Sequence, residues 1–337
     1  MIDLINVTQN DVAAIERAVE TIKDGAIFLS GRAKDRYSHA VRSILSKKSN
    51  IHVFWRTTEF DELTIRKIGN ELENNPKSGP PIILPHMHFQ RPDICFSNNP
   101  SAPYILVCPV RNAQNYVTKC LTSIIAQRSV DWHLIMIDDA SDDETTNRIE
   151  EFVRTEKIEN KITLVKNKIR MFGMWNVNFA IRYLITQSNP VIGLIDGDDW
   201  FYRKDAMSIV YKLFRKKHDL VWTQHVRHPS GATGYSLPAT QSAPRNKRRG
   251  ISAFRSFRKS LFDKIPESEF EGPDGLFLRY TYDKAITYPL SELAKNMKFL
   301  DQVMYVYNQE NSQNVDKSNR DAQTGIAVYL EGKPRLA

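Results

Sequence analysis

Three aspartates end an apolar run in the stretch "VIGLIDGDDWF", residues 191–201: Asp196, Asp198 and Asp199. Carboxylates this close together repel one another, and they are costly beside apolar chain unless a cation or solvent compensates their charge. Carboxylate oxygens on a tight turn suit Mg²⁺ or Mn²⁺, which keep coordination positions open for phosphate oxygens. The stretch therefore predicts a divalent-metal site for a phosphorylated substrate, with a solvated acidic turn as the alternative.

Two more polar clusters follow directly after apolar runs. "PVRN" (109–112) ends the run "YILVCPV", and "DDASDD" (138–143) ends the run "HLIMIDD". Segments with helical spacing, such as "NYVTKCLTSIIAQ", lie between the runs, which predicts βαβ units in a parallel sheet buried on both faces. Ligands of such sheets bind beyond the carboxyl ends of the strands. The three clusters are therefore expected to meet at one edge of the sheet.

Residues 104–310 resemble a family-2 glycosyltransferase of the GT-A fold, through four motifs in that family's order. "VCPVRNAQNY" is similar to its opening strand and helix, and "LIMIDDASDDET" to its V-D-D-G-S-x-D-x-T signature, with Ala140 at the usual glycine position. "VKNKIRMFGMWNVNFAI" resembles its N-x-x-x-x-G segment, and "LIDGDDWF" resembles its D-x-D motif. The resemblance implies an α/β fold of the GT-A (Rossmann-like) type, a mostly parallel sheet with helices on both faces.

The resemblance also implies a site for a nucleotide-diphosphate sugar, with a UDP-sugar as the expected donor. The implied donor-site residues are Pro109, Arg111, Asp138, Asp139, Asn167, Arg170, Gly173 and Asp196. The first four line the base pocket or support its loop, and a carboxylate such as Asp139 suits the N–H of a uracil-like base. By the same resemblance, Asp198 and Asp199 are the ligands of Mn²⁺ or Mg²⁺ on the diphosphate. Three later residues either close over the donor or pack in the core: Tyr305, Tyr307 and Asn308.

Asp283, in "TYDKAITYP", matches the acid that this family places at the start of a helix after the donor half. The resemblance makes it the general base that takes the proton from an acceptor hydroxyl. The family's common Glu-Asp pair reads Tyr282-Asp283 here, and Glu292 is the second candidate base. Helix capping is the alternative role for Asp283. One displacement with a single base implies inversion at the anomeric carbon.

Charge is unevenly distributed along the chain. Residues 203–264 contain 15 Lys and Arg against three Asp, a net charge of +12, which leaves −4 for the rest of a chain whose net charge is +8. Such polarisation indicates a polyanionic partner, with solvated helix faces as the alternative. In "PRNKRRG" the pattern predicts an arm that contacts acceptor phosphates through Arg245, Lys247, Arg248 and Arg249.

The expected acceptor is a hydroxymethylated base, hydroxymethylcytosine, in duplex DNA, as in sugar-modified bacteriophage DNA. Such DNA offers both a primary hydroxyl and a polyanionic backbone. A surface polysaccharide or lipid-linked glycan is the alternative, since the resembled family acts mostly on these. A non-catalytic DNA- or sugar-binding module is an alternative of another class, but it would not need Asp198, Asp199 and Asp283 together.

Changes in composition divide the chain into three regions. Residues 1–100 are predicted to form an accessory α/β region and a linker. Its predicted strands are "GAIFLS" and "NIHVFW", and its predicted helix is "DELTIRKIGNELENN". Residues 101–315 are the predicted catalytic domain, with a donor half at 104–200 and an acceptor half at 201–315, and 316–337 are a C-terminal tail.

A cytoplasmic protein without a transmembrane segment is expected, because no apolar run could span a bilayer and no secretory signal or disulfide framework is present. Dinucleotide oxidoreductases and nucleotidyltransferases usually bind phosphates through a glycine-rich loop. The sequence lacks such a loop, so both enzyme classes are disfavoured.

Overall fold

The computed structural model of the protein describes the strands 25–30 and 51–56 and residues 92–97, 100–240, 243, 245, 250–272, 277–311 and 320–336. The chain divides into two compact units, Met1–Gln90 and Arg91–Ala337. This division falls at residue 90 rather than at the predicted residue 100, because the strand Asp93–Phe96 already pairs within the second unit.

The first unit contains a parallel pair of strands, β1 (Gly25–Ser30) and β2 (Ile51–Arg56). Gly25 lies opposite Ile51, and Ser30 lies opposite Arg56. Both predicted strands of this region are therefore confirmed. The helix predicted for "DELTIRKIGNELENN" lies outside the described residues.

One sheet of nine strands organises the described part of the second unit. The strands are β3 (Asp93–Phe96), β4 (Tyr104–Val110), β5 (Trp132–Asp138), β6 (Ile162–Lys166), β7 (Val191–Leu194), β8 (Trp200–Phe201), β9 (Leu220–His228), β10 (Arg255–Arg258) and β11 (Met297–Asn308). Their order across the sheet is β3-β6-β5-β4-β7-β10-β9-β11-β8. The four strands β6, β5, β4 and β7 are parallel neighbours, so their carboxyl ends lie at one edge. This confirms the predicted α/β fold, but the sheet is mixed rather than mostly parallel, because β3–β6, β7–β10, β10–β9 and β11–β8 pair antiparallel.

Seven α-helices surround this sheet in the described residues: α1 (Val117–Ile125), α2 (Thr145–Glu156), α3 (Phe172–Phe179), α4 (Ala206–Arg215), α5 (Lys259–Phe262), α6 (Tyr282–Leu293) and α7 (Arg320–Gly332). Helix α1 shows why they form. Its apolar residues Val117, Cys120, Leu121 and Ile124 recur at helical spacing and are all buried. Among the described helices, none combines the length and the apolar character needed to cross a membrane.

Strand β11 lies between β9 and β8, parallel to β9 and antiparallel to β8. Its pairing with β9 shifts register between Leu300 and Val303, and again before Tyr305, so that Tyr305 lies beside His225. Irregularities of this kind re-aim the side chains that follow them. The register shifts therefore decide which residues of β11 can reach the end of β7.

Residues 229–240 run along β9 rather than forming an unstructured connection. Trp222 Nε1 donates to the carbonyl of Leu237 at 3.0 Å, and Gln224 Nε2 donates to the carbonyl of Ser236 at 3.2 Å. Residues 320–332, predicted as part of a tail, form α7 instead. Its buried residue Leu330 belongs to the core beside α6, so the region contributes to the fold of the second unit.

Candidate functional site

The acidic turn after β7 lies against the end of β4. Gly197 N donates to the carbonyl of Pro109 at 3.2 Å, and a Cβ added to Gly197 would lie 2.4 Å from Val110 Cγ2. Glycine is therefore required here by the close approach of β4, the strand that carries the predicted pocket residue Pro109. Asp199 N donates to the carbonyl of Asp196 at 3.0 Å, which closes the turn.

Asp199 is directed into the fold. Its side chain is buried, and its Oδ1 accepts the backbone N–H of Asn308 at 2.7 Å. Burial, followed by repulsion from Asp198 and Asp196, raises the pKa of Asp199 well above its usual value. Of the two predicted metal ligands, Asp199 therefore anchors the end of β11, while Asp198 lies partly exposed.

Asp196 and Asp198 form a partly buried pair whose hydrogen-bond donors are neutral. The Tyr282 hydroxyl donates to Asp196 Oδ1, and Asn311 Nδ2 donates to Asp198 Oδ2 at 2.8 Å. Burial, together with repulsion from Asp198, raises the pKa of Asp196 to about 6. Burial also raises the pKa of Asp198. The pair thus concentrates negative charge at the edge where the polar loops meet.

A divalent cation fits this pair. The two hydrogen bonds use only one oxygen of each carboxylate. Within the described residues, no three His, Cys, Asp or Glu side chains form a complete metal cage. However, Mg²⁺ is typically held by one or two carboxylates and completes its shell with water and substrate phosphates. The residues present therefore suit a cation that binds together with a diphosphate.

Asp138 supports the loop between β5 and α2. Its Oδ1 accepts the backbone N–H of Ser141 at 3.1 Å, and its Oδ2 accepts the hydroxyl of Thr146, a residue in the first turn of α2. The residue is 3% exposed. Asp138 thus spans the loop from inside and fixes the position of the next residue, Asp139.

Asp139 joins this loop to the start of α3. Its Oδ1 accepts the N–H of Met171 at 2.7 Å and Asn167 Nδ2 at 3.0 Å, and its Oδ2 accepts the N–H of Phe172 at 2.9 Å. An ionised carboxylate has about four acceptor positions. Asp139 therefore retains room for one further donor, which is what pairing with a base N–H requires. Asn167 is buried and orients this carboxylate.

Arg111 is committed to the same loop. Its Nη1 donates to the carbonyls of Asp139, at 2.8 Å, and Ala140, and its Nη2 lies 3.1 Å from Asp142 Oδ2. Ala140 has a φ of +56°, in the left-handed region that favours glycine. The guanidinium thus holds the backbone of a non-glycine residue in that conformation. The predicted contact of Arg111 with a base stays a prediction.

Two exposed arginines lie over the ring of Phe172 at the rim of this region. The guanidinium carbon of Arg170 is 4.5 Å from the ring centroid, and that of Arg279 is 5.6 Å from it. Arg170 is a predicted donor-site residue, and Arg279 is one that the sequence did not single out. Because Phe172 also donates its N–H to Asp139, both cations lie near the predicted nucleotide pocket.

Asp283 lies in the first turn of α6 and pairs with a buried arginine. Arg255 Nη2 is 3.4 Å from Asp283 Oδ2, and the Asp283 side chain is 39% exposed. The residue before it, Tyr282, donates to Asp196, which brings Asp283 to the same region as the acidic turn. Its ion pair with Arg255, rather than a capping bond, accounts for its position. An exposed carboxylate in this place can accept a proton from a substrate.

Two other predicted residues have buried structural roles. Arg245 is 2% exposed, and its Nη2 donates to Glu292 at 2.8 Å and to Glu269 at 2.9 Å. Burial opposes its charge, but the two carboxylates raise the pKa of Arg245. The prediction that Arg245 contacts an acceptor is therefore wrong, and Glu292 is excluded as the base for the same reason. The other three arm residues lie outside the described residues: Lys247, Arg248 and Arg249.

Replacing Arg245 by alanine is expected to lower the free energy of unfolding by about 3–5 kcal/mol, because Glu269 and Glu292 would become buried charges without their partner. Denaturant unfolding measures this change. The exposed residue Arg128 supplies a control, because Arg128→Ala is expected to change stability by less than about 0.5 kcal/mol. An equally small effect at Arg245 would contradict the buried cluster.

Among the described basic residues of 203–264, Arg255 lies in the site, where it pairs with Asp283, whereas others are directed elsewhere. Arg258 Nη2 donates to the carbonyl of Phe214 at 2.9 Å, and Lys259 pairs with Asp263 at 2.9 Å. The exposed cations at 212–217 end α4 and precede β9. Since β9 and β7 are both antiparallel to β10, the start of β9 lies at the edge opposite the acidic turn. These cations therefore do not lie where a polyanionic acceptor bound beside the acidic turn would contact them.

Comparisons with known proteins give a family match and a similar fold. Residues 105–276 match the family model described as "Glycosyl transferase family 2". The chain is 28% identical over 105 residues, 31% of its length and 38% of the relative's, to the UDP-Glc:alpha-D-GlcNAc-diphosphoundecaprenol beta-1,3-glucosyltransferase WfgD of Escherichia coli. Its fold is similar to the crystal structure of S. aureus TarS 1-349 in complex with UDP-GlcNAc, with a TM-score of 0.52 and 14% identity over 63% of this chain and 60% of that chain. The chain thus spans less than two thirds of either relative.

Proposed function

Because the chain belongs to glycosyl transferase family 2, we propose that it moves a sugar from a nucleotide-diphosphate donor to an acceptor hydroxyl. The observation that carries the proposal is the meeting of the acidic turn after β7 with Asp283 at the start of α6, through Tyr282 and Arg255. UDP is the proposed nucleotide, because the TarS crystals contain UDP-GlcNAc and the Escherichia coli relative is named for UDP-Glc.

The residues of the site divide the reaction between a donor side and an acceptor side. Asp139 accepts the N–H of the base, and the exposed cations Arg170 and Arg279 bind the diphosphate. The oxygen of the acceptor hydroxyl attacks the anomeric carbon, and the bond from that carbon to the diphosphate breaks. Asp283 takes the proton that the hydroxyl loses. Attack opposite the leaving group inverts the configuration at that carbon.

Asp198, with Asp196 beside it, holds Mn²⁺ or Mg²⁺ in this proposal. When bound, the cation stabilises the negative charge that develops on the leaving diphosphate. Asn311 keeps one oxygen of Asp198 in place, so that the other oxygen is oriented toward the donor. Asp199 orients the end of β11 through Asn308 instead of binding the cation.

A glycan carried on a lipid diphosphate is the proposed acceptor. The Escherichia coli relative is named for a GlcNAc-diphosphoundecaprenol acceptor. DNA binding depends on several Lys and Arg side chains placed against phosphates. In the described residues, Arg245 is buried and the exposed cations at 212–217 lie at the far edge of the sheet. Part of the positive charge that favoured a DNA acceptor in the sequence is therefore buried or lies away from the site.

The first test is UDP release from UDP-glucose and UDP-GlcNAc, with and without Mn²⁺, in the presence of a synthetic GlcNAc-diphosphate lipid. Metal-dependent UDP release with formation of a disaccharide-lipid would support the proposal. Hydrolysis of the donor, with UDP release but no transfer of sugar to the lipid, would support the donor chemistry. It would also indicate that another glycan is the acceptor. Binding of the nucleotide sugar without release under any condition would favour a non-catalytic sugar-binding module.

Hydroxymethylcytosine in duplex DNA is the second candidate acceptor, and the basic sequence "NKRRG" at 246–250 supports it. We expect duplexes with and without this base to bind equally weakly in anisotropy titrations at two salt concentrations. Tight, salt-sensitive binding followed by sugar transfer would contradict that expectation. In that case, replacing Lys247, Arg248 and Arg249 by glutamine should weaken binding and flatten its salt dependence.

A further inference from the structure

Tyr282 is held at both ends of its side chain by elements of the donor half. Its hydroxyl donates to Asp196 Oδ1 in the acidic turn. Its ring lies so close to α3 that a Cβ added to Gly173 would be 2.8 Å from Tyr282 Cδ1. Gly173 is a predicted donor-site residue, and this contact supplies a physical reason for glycine at the position. Tyr282 thus joins α3 and the acidic turn to the start of α6.

The start of α6 is also attached to α7, because the Thr281 hydroxyl donates to the carbonyl of Gln323 at 3.4 Å. Thr281, the residue before the helix, has a φ of +63° and makes no side-chain capping bond. The described contacts that fix this end of the helix to the sheet include two across the site. One runs from Tyr282 to Asp196, and the other runs from Asp283 to Arg255. Since Tyr282 and Asp283 are adjacent in the chain, a shift of one moves the other.

We propose that Tyr282 is a positioning residue that fixes the Asp283 carboxylate relative to the donor-binding acidic turn. This inference rests on the glycosyltransferase function proposed above. In this arrangement Asp196 has a second role besides facing the donor. It accepts the hydrogen bond that attaches α6, the helix carrying Asp283, to the acidic turn. Misplacement of a reacting group by about 1 Å can lower a rate about a hundredfold, so the loss of this attachment should affect turnover strongly.

Tyr282→Phe tests the proposal, because it removes the hydroxyl and leaves the ring against Gly173. With UDP-glucose as donor, the kcat of UDP release is expected to fall at least tenfold, while the donor KM and the affinity for UDP change less than threefold. Tyr280→Phe, two residues earlier, is the control and should keep the wild-type kcat. A lower Tm with an unchanged kcat per folded molecule would overturn the proposal, and so would a rise in KM alone.

Gly173→Ala approaches the same contact from the other side. The added methyl group should displace the Tyr282 ring and reproduce part of the loss in kcat. In a Tyr282→Ala background the ring is absent, so the same glycine change should cause no further loss. Equal losses in both backgrounds would show that Gly173 acts independently of Tyr282 and would overturn the proposal. A wild-type protein that releases no UDP would overturn the proposed function itself, whereas unchanged variants of an active enzyme would overturn only this inference.

Discussion

Asp198→Ala is expected to lower UDP-sugar turnover by about a thousandfold or more and to abolish metal-dependent binding of UDP. The change removes the partly exposed carboxylate of the acidic pair, while Asp199 keeps its place in the fold through Asn308. Stabilisation of a leaving diphosphate by a cation contributes several kcal/mol to catalysis, and about 1.4 kcal/mol corresponds to a factor of ten in rate. UDP release and calorimetric titration of UDP, each with and without Mn²⁺, measure the two effects.

Asp205→Ala is the matched control for this change. Asp205 lies a few residues beyond the acidic turn, and its carboxylate pairs with Arg203 at 2.8 Å on the surface. Turnover and UDP affinity of the control should stay within about twofold of the wild type, because exposed ion pairs contribute little. Metal-independent turnover that survives in Asp198→Ala would contradict the assignment of the metal to this turn.

Asp283→Asn is expected to lower kcat by about a hundredfold to ten-thousandfold, the range that a general base contributes. Donor binding should stay within about threefold, because Asp283 pairs with Arg255 and makes none of the contacts proposed for the donor. The amide keeps the size of the side chain but cannot take the proton. Steady-state kinetics with saturating UDP-sugar and a separate UDP titration distinguish the two effects.

Asp263→Asn offers a close control for the loss of charge. Asp263 pairs with Lys259 at 2.9 Å, and its side chain is 38% exposed, against 39% for Asp283. Each carboxylate therefore neutralises a largely buried cation, but Asp263 lies at the end of α5, outside the site. If both variants lost turnover equally, the effect would come from the unpaired cation, and Asp283 would not be the base.

The donor half is predictable from the sequence because its signals are local and strong. Strands β4 and β5 are apolar runs that are buried along almost their whole length, and helical spacing separates them. Parallel strands bring their carboxyl ends together, so the loops at Asp139 and Asp196 had to meet. Motif resemblance adds the expected roles of these residues. What it does not supply is the internal hydrogen bonding that leaves Asp199 buried.

The acceptor half is less predictable because its decisive contacts join residues far apart in the chain. Arg245 pairs with Glu269 and Glu292, which are 24 and 47 residues away. Nothing in "PRNKRRG" indicates that Arg245 is buried. The bond from Tyr282 to Asp196 spans 86 residues. Only the departure of Tyr282-Asp283 from the family's usual Glu-Asp pair drew attention to this position.

The place of β11 in the sheet has a consequence for the order in which the protein folds during synthesis. This strand is made last of the nine, yet it enters between β9 and β8, which are made much earlier. It supplies the Tyr305 hydroxyl for Asp196 N and the Asn308 N–H for Asp199, and each of these contacts spans 109 residues. Chains begin to fold from the N-terminal side as they are synthesised, and distant contacts form slowly. A nascent chain can therefore form its parallel strands while the acidic turn is still without these two contacts, and the turn is complete only when β11 is in place.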